Sequence, residues 1–164
     1  MLNMRQRAIL GAIVLSSAAQ SQAQPSTADA DLELLRTLAP ELPDAVLLTM
    51  QDLTAEQARK VSTTPGIGRR FVGDFNSDGQ QDLALFGQYA DGESVGTLLL
   101  IATWQAERWQ REALLRFPQP FIIGLQHEQR LSVVFCTGCD FGGRVSWTGT
   151  RYEFVPLPPA GVEP

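Results

Sequence analysis

From Arg69 onward the chain alternates short apolar runs with turn residues, and this pattern restricts that part of it to an antiparallel β fold. No stretch there has apolar side chains at the three-to-four-residue spacing of an amphipathic helix. Strands are predicted near residues 69–75, 81–89, 97–104, 109–117, 121–126, 131–136, 144–147 and 151–156. Because short turns join consecutive strands, we expect an antiparallel meander.

Two short helices are predicted before the strands. The leucines between Asp29 and Leu38 are spaced for one helical face, and Pro40 follows as a stop signal. A second helix is expected from Ala55 to Val61, because Thr54 and Gln57 form a capping box at its start. The predicted fold class is therefore α+β, mainly β, with both helices packed against the sheet.

Aromatic pairs flank two of the predicted turns. Trp104 and Trp109 enclose the first turn, and Trp147 and Tyr152 enclose the second. Cross-strand aromatic neighbours contribute about 0.2 to 1 kcal/mol each, which favours a role in the sheet for these residues. The alternative is an exposed aromatic platform that binds sugars.

An acidic loop between the first two predicted strands has oxygen-bearing side chains at alternate positions. Its sequence from Asp74 to Asp82 is Asp-x-Asn-x-Asp-Gly-x-x-Asp. Calcium prefers six to eight oxygens at about 2.3 to 2.6 Å, and alternate residues of a tight turn can direct side chains to one centre. Gly79 allows the sharp bend that such a cage requires. The predicted Ca²⁺ ligands are the side chains of Asp74, Asn76, Asp78 and Asp82 and the main-chain carbonyl of Gln80.

The loop is not an EF-hand, because the twelfth position counted from Asp74 is Leu85, where an EF-hand has a bidentate glutamate. Residues 72–84, Val-Gly-Asp-Phe-Asn-Ser-Asp-Gly-Gln-Gln-Asp-Leu-Ala, instead resemble the calcium-binding hairpin of FG-GAP and VCBS-type repeat proteins. The resemblance implies the same five ligands. In that family the hairpin recurs around a β-propeller, whereas here it occurs once and the remaining strands suffice for one or two propeller-like blades at most. The other interpretation is that these residues only form a solvated turn.

The N-terminus predicts a signal peptide over residues 1–23. Arg5 and Arg7 precede an apolar stretch from Ala8 to Leu15, and residues 21–23, Ser-Gln-Ala, supply small side chains where a signal peptidase cleaves. The apolar stretch is shorter than the roughly 20 residues that cross a bilayer. We expect a periplasmic or secreted protein with no membrane span after cleavage, the alternative being a short membrane-tethering helix.

The chain has two cysteines, Cys136 and Cys139, separated by two residues. In an exported protein such a pair is expected to form a disulfide. A thioredoxin-type redox pair needs a helix N-terminus, whereas the residues after Cys139 lead into another predicted strand. A redox-active pair and metal ligation stay open as less favoured alternatives.

Charge excludes one class of partner. The formal net charge is −5 and no run of basic residues occurs, so nucleic acid is not expected to bind. The predicted organisation is a signal peptide at 1–23, a helical segment at 24–65, an antiparallel β domain at 66–157 with the loop at 74–82, and a disordered tail at 158–164.

These observations predict an exported, non-enzymatic calcium-binding β domain in which the ion is structural. Such a domain would act as a binding module for an unknown protein or glycan partner in the cell envelope. The alternative is a periplasmic thiol-disulfide redox protein or small enzyme that uses Cys136 and Cys139. An inhibitor or accessory subunit of a secreted enzyme is a third class that no sequence feature supports.

Overall fold

The computed structural model describes residues 27–49, 51, 55–64, 66–92, 94–118, 123–134 and 142–157. Within these ranges the elements are α1 (Thr27–Leu38), β1 (Val46–Leu47), α2 (Ala55–Thr63), β2 (Ile67–Gly68), β3 (Arg70–Gly73), β4 (Asp82–Asp91), β5 (Ser94–Gln105), β6 (Arg108–Phe117), β7 (Ile123–His127), β8 (Arg130–Val134), β9 (Gly142–Trp147) and β10 (Tyr152–Pro156). The signal peptide at 1–23, the pair Cys136 and Cys139, and the tail at 158–164 lie outside the described residues, so those predictions stay predictions.

The mainly β fold class is confirmed. Each predicted strand corresponds to one of β3 to β10, and every pairing among the described strands is antiparallel. The prediction missed β1 and β2, because two-residue strands are too short to show a periodicity.

The strands form two sheets rather than one meander. Sheet A has the order β1-β4-β5-β6. Strand β3 also pairs with β4, at residues nearer the start of β4 than those that pair with β1. Sheet B has the order β10-β9-β8-β7-β2. The acidic loop connects β3 to β4 and therefore belongs to sheet A.

Sheet A is covered on both faces. Along β4, Leu83 and Leu85 pack with α1, whereas Ala84 and Phe86 pack with residues of sheet B. This alternation follows from the pleat, which directs successive side chains to opposite faces. Gly124 in β7 marks a close approach of the two sheets, since a Cβ there would lie within 2.4 Å of rings on β3 and β4. The result is three layers, with α1, sheet A and sheet B stacked in that order.

The two helices differ in how they pack. Leu35 of α1 is fully buried against sheet A, and Arg70 Nε on β3 lies 3.1 Å from a carboxylate oxygen of Asp31 on the helix. Helix α2 contacts β2, and its described side chains are exposed or only partly buried. The prediction that both helices pack on the sheets is therefore confirmed for α1, and the contact of α2 with β2 agrees with it.

Both predicted hairpins are confirmed. Trp104 pairs with Trp109 across β5 and β6, with ring centroids 5.2 Å apart in an edge-to-face arrangement. Trp147 pairs with Tyr152 across β9 and β10, with ring centroids 4.9 Å apart. These aromatic side chains are cross-strand neighbours, as the favoured sequence interpretation requires.

The turn between β5 and β6 offers a test of backbone strain. Ala106 and Glu107 form its two central positions with φ of 49° and 61°, a conformation that favours Asn-Gly. We expect the double substitution Ala106→Asn and Glu107→Gly to raise the free energy of unfolding by about 1 kcal/mol, measured by urea denaturation. Gln110→Gly in β6, where φ is negative, is the control and should lower stability. A loss of stability in both variants would contradict this account of the turn.

Candidate metal centre

The acidic loop, residues 74–82, bends sharply between the ends of β3 and β4. Gly73, the last residue of β3, pairs with Asp82, the first residue of β4, so the loop begins and ends at one point of sheet A. Gly79 has a φ of 83°, in the left-handed region that glycine adopts without a steric cost. The bend predicted at this glycine is present.

Hydrogen bonds hold three of the predicted ligands over the same turn. The two carboxylate oxygens of Asp74 accept from the N–H groups of Asp78 at 3.1 Å and Gly79 at 3.0 Å. Asn76 Oδ1 accepts from the same Asp78 N–H at 3.1 Å, and its Nδ2 donates to Asp78 Oδ2 at 2.9 Å. Asp78 Oδ1 accepts from the N–H of Gln80 at 2.8 Å. The structure therefore brings Asp74, Asn76 and Asp78 together.

Asp82 lies in a different environment, because its side chain is fully buried. Its Oδ2 accepts from the Phe75 N–H at 2.8 Å and from the Tyr152 hydroxyl at 3.0 Å. Its Oδ1 accepts from the hydroxyl of Thr103, which is also fully buried. A carboxylate in a dry core is tolerated when its oxygens are hydrogen-bonded in this way.

The Asp82 cluster, consisting of Asp82, Thr103 and Tyr152, joins the two sheets. Thr103 lies on β5 of sheet A and Tyr152 lies on β10 of sheet B. Burial, and after it the negative charge of Asp82, raises the pKa of the Tyr152 phenol above its usual value. The phenol therefore stays protonated and continues to donate to Asp82 at neutral pH.

The start of the acidic loop is held by the turn between β7 and β8. Gln129 Oε1 accepts from the Asp74 N–H at 3.0 Å. Gln126 Nε2 donates to the Val72 carbonyl at 3.2 Å and to the Glu128 carbonyl at 3.0 Å. Sheet B therefore contacts the loop at its first residue through this turn and at its last residue through the Asp82 cluster.

Sequence reasoning missed the partners of Asp82. Thr103 and Tyr152 lie 21 and 70 residues further along the chain, and no local spacing connects them to the loop. One weak signal was available. Tyr152 lies in a predicted strand, and a buried tyrosine usually needs a hydrogen-bond partner for its hydroxyl.

The donor set of Asp74, Asn76 and Asp78 suits calcium, which is bound by carboxylate and amide oxygens. Asp82 differs from this set in burial, because its side chain is fully buried whereas that of Asp78 is exposed. Across the ranges that the structure describes, no three His, Cys, Asp or Glu side chains approach closely enough to hold a metal ion.

Comparisons with protein-family models, curated proteins and solved structures find no significant match. The resemblance of the acidic loop to the FG-GAP and VCBS-type hairpin therefore stays a prediction. No helix in the described part of the chain is long and apolar enough to cross a membrane.

Proposed function

We propose that this chain is an exported, non-enzymatic β domain that binds calcium through the acidic loop, with the ion serving a structural role. The observation that carries the proposal is the network that gathers Asp74, Asn76 and Asp78 over one turn. These three side chains, with the main-chain carbonyl of Gln80, would hold the ion.

Asp82 was the fifth predicted ligand, and its contacts support a second role. Its carboxylate accepts from Phe75 in the loop, Thr103 in sheet A and Tyr152 in sheet B. In the proposal it anchors the loop to the core, whereas a direct ligand role for Asp82 stays a prediction. Calcium would then act on the outer side of the loop and the Asp82 cluster on the inner side.

The ion would stabilise the loop by relieving repulsion between neighbouring carboxylates. Asp74 and Asp78 carry negative charge four residues apart on one turn, and hydrogen bonds through Asn76 and backbone N–H groups link them. A divalent cation between them offsets that repulsion, and an ion that binds only the folded loop raises the stability of the whole domain.

Export and a binding role complete the proposal. The predicted signal peptide at 1–23 would place the domain in the periplasm or outside the cell, where its partner would be an envelope protein or a glycan. The redox alternative depends on Cys136 and Cys139, which lie outside the described residues.

Isothermal titration of the EDTA-treated protein with calcium, together with thermal melting of both forms, tests the proposal. We expect saturable one-to-one binding and a melting temperature that calcium raises. Asp78→Asn keeps an acceptor for the Gln80 N–H but removes one charge from the loop, so calcium affinity should fall about tenfold or more. Asp44→Asn, at an exposed position after α1, is the matched control and should bind calcium like the parent chain.

Two outcomes would contradict the calcium proposal. One is the absence of saturable binding to the parent chain. The other is a calcium-dependent rise in melting temperature of equal size in the parent chain and in Asp78→Asn, which would place the ion elsewhere.

A further inference from the structure

Strand β3 leads directly into the acidic loop and has a strand partner on one edge only, among the strands that the structure describes. That partner is β4, and the Arg69 carbonyl just before β3 accepts from the Phe86 N–H at 2.8 Å. Main-chain groups of successive strand residues point alternately to the two edges. The Val72 carbonyl and the Asp74 N–H, on either side of Gly73, therefore point away from β4.

Two glutamine side chains of sheet B meet these two main-chain groups. Gln126 Nε2, from β7, donates to the Val72 carbonyl at 3.2 Å. Gln129 Oε1, from the turn that follows β7, accepts from the Asp74 N–H at 3.0 Å. A neighbouring strand would supply one N–H and one carbonyl at the same places. The amide pair, Gln126 and Gln129, thus takes the place of a strand at this edge of β3.

The two amides have opposite hydrogen-bonding roles. Gln129 accepts from an N–H group, whereas Gln126 donates to a carbonyl and also donates to the Glu128 carbonyl at 3.0 Å. A glutamine amide can do either, but an ionised carboxylate can only accept. Replacement of glutamine by glutamate therefore keeps the contact at Gln129 and destroys the contact at Gln126.

Gly73 gives the amide pair the space to reach β3. A Cβ at this position would lie 3.0 Å from Gln129 Oε1 and 3.2 Å from Gln126 Nε2, both shorter than ordinary van der Waals contacts. Any side chain here would push both amides away from the strand edge. The close approach of sheet B to the start of the acidic loop therefore depends on this glycine.

We propose that Gln126 and Gln129 are positioning residues for calcium, which hold the start of the acidic loop in its binding conformation. Asp74 connects the amide pair to the ligands, because its N–H donates to Gln129. Its carboxylate oxygens accept from the N–H groups of Asp78 and Gly79. The apparent affinity of a site falls in proportion to the fraction of molecules that hold the binding conformation. The inference rests on the proposed function, because it concerns the same loop.

A positioning role differs from a purely structural one in how it affects calcium affinity. A contact that only joined the two sheets would stabilise the free and the calcium-bound protein equally, and the affinity would not change. A contact that selects the binding conformation raises the affinity, and calcium must strengthen that contact by the same factor. Loss of the Gln129 acceptor should therefore lower the melting temperature more with calcium than in EDTA.

The test is isothermal titration of EDTA-treated variants with calcium. Gln129→Glu and Gln126→Glu each add one negative charge beside the loop, so the two variants control for each other. Gln129→Glu keeps its acceptor and should bind calcium at least as tightly as the parent chain, whereas Gln126→Glu should bind about threefold or more weakly. Gln129→Met, which has no acceptor, should show a similar loss. Gln88→Met, toward the end of β4 that lies away from the loop, is the control for a lost glutamine and should bind like the parent chain.

Hydrogen exchange of the Asp74 amide, followed by NMR in EDTA, checks the contact without any ion. The Asp74 N–H should be protected in the parent chain and in Gln129→Glu, and should exchange about threefold or more faster in Gln129→Met. Equal exchange rates in the parent chain and Gln129→Met would show that the contact does not hold the loop, and would overturn the positioning role.

Two titration results would overturn the positioning role and leave the calcium proposal intact. One is equal calcium affinity in the parent chain and Gln129→Met, and the other is an equal loss in Gln126→Glu and Gln129→Glu. Absence of calcium binding to the parent chain would reject the proposed function and this inference with it. If Gln126→Glu does not fold, the comparison of Gln129→Met with Gln129→Glu still decides, since only the second keeps the acceptor.

Discussion

Asp82→Ala is expected to lower the free energy of unfolding by about 3 to 5 kcal/mol. The substitution removes the acceptor of three donors, the Tyr152 hydroxyl, the Thr103 hydroxyl and the Phe75 N–H. Each donor left unsatisfied in a buried site costs about 1 to 3 kcal/mol, and the three costs overlap because one cavity serves them all.

Urea denaturation in EDTA measures this loss without any contribution from an ion. The control is Asp78→Ala, whose carboxylate is exposed and accepts only within the loop, so its loss in EDTA should stay below about 1 kcal/mol. Equal losses for Asp78→Ala and Asp82→Ala in EDTA would refute the anchoring role of Asp82.

Asp82→Asn separates the charge of this residue from its shape. The amide keeps one acceptor oxygen but turns an N–H₂ group toward at least one of the donors that contact the carboxylate. We therefore expect a stability between those of the parent chain and Asp82→Ala. This ordering follows from hydrogen bonding alone and does not require calcium.

The sequence predicted the strands well because their signals are local. The apolar run from Leu83 to Phe86 predicts a buried strand, and that stretch lies in the first half of β4. What covers each face of β4 was not predictable from the run, since every second residue faces α1 and the others face sheet B. The division of one expected meander into two stacked sheets depends on these long-range contacts.

The acidic loop shows the same limit of local sequence signals at one residue, Asp82. Asp74, Asn76 and Asp78 are four residues apart or less, so their spacing alone predicted that they would lie together. Asp82 fits the ninth position of the motif equally well as a ligand or as the first residue of a buried strand. The contacts of Asp82 with Thr103 and Tyr152 depend on the packing of the two sheets, which the spacing of the motif does not encode.

The neighbours across sheet B had no signal in the sequence. Arg130 and Arg144 lie on different strands, and neither belongs to a motif. They become neighbours because Ser132 pairs with Arg144, a register that depends on the whole of sheet B. Trp147 was expected in the sheet, and the structure confirms its pairing with Tyr152.

Alkaline pH is expected to destabilise the domain through Tyr152. Burial and the Asp82 charge raise the pKa of this phenol in the folded state, whereas in the unfolded chain it titrates near 10. The folded state therefore keeps a proton that the unfolded state releases. The resulting stability is fully present below about pH 10 and is lost as pH rises toward the folded pKa, at about 1.4 kcal/mol per pH unit.

Urea denaturation between about pH 9 and pH 11.5 measures this slope. Tyr152→Phe should be less stable at pH 9 because Asp82 loses a donor, but its stability should decline less steeply above pH 10 than that of the parent chain. The chain has two tyrosines, so Tyr89→Phe is the matched control and should keep the parent slope. The contrary result is a free energy of unfolding that falls equally steeply with pH in the parent chain and in Tyr152→Phe. The phenol would then not cause the alkaline sensitivity, and its contact with Asp82 would be weaker than the geometry implies.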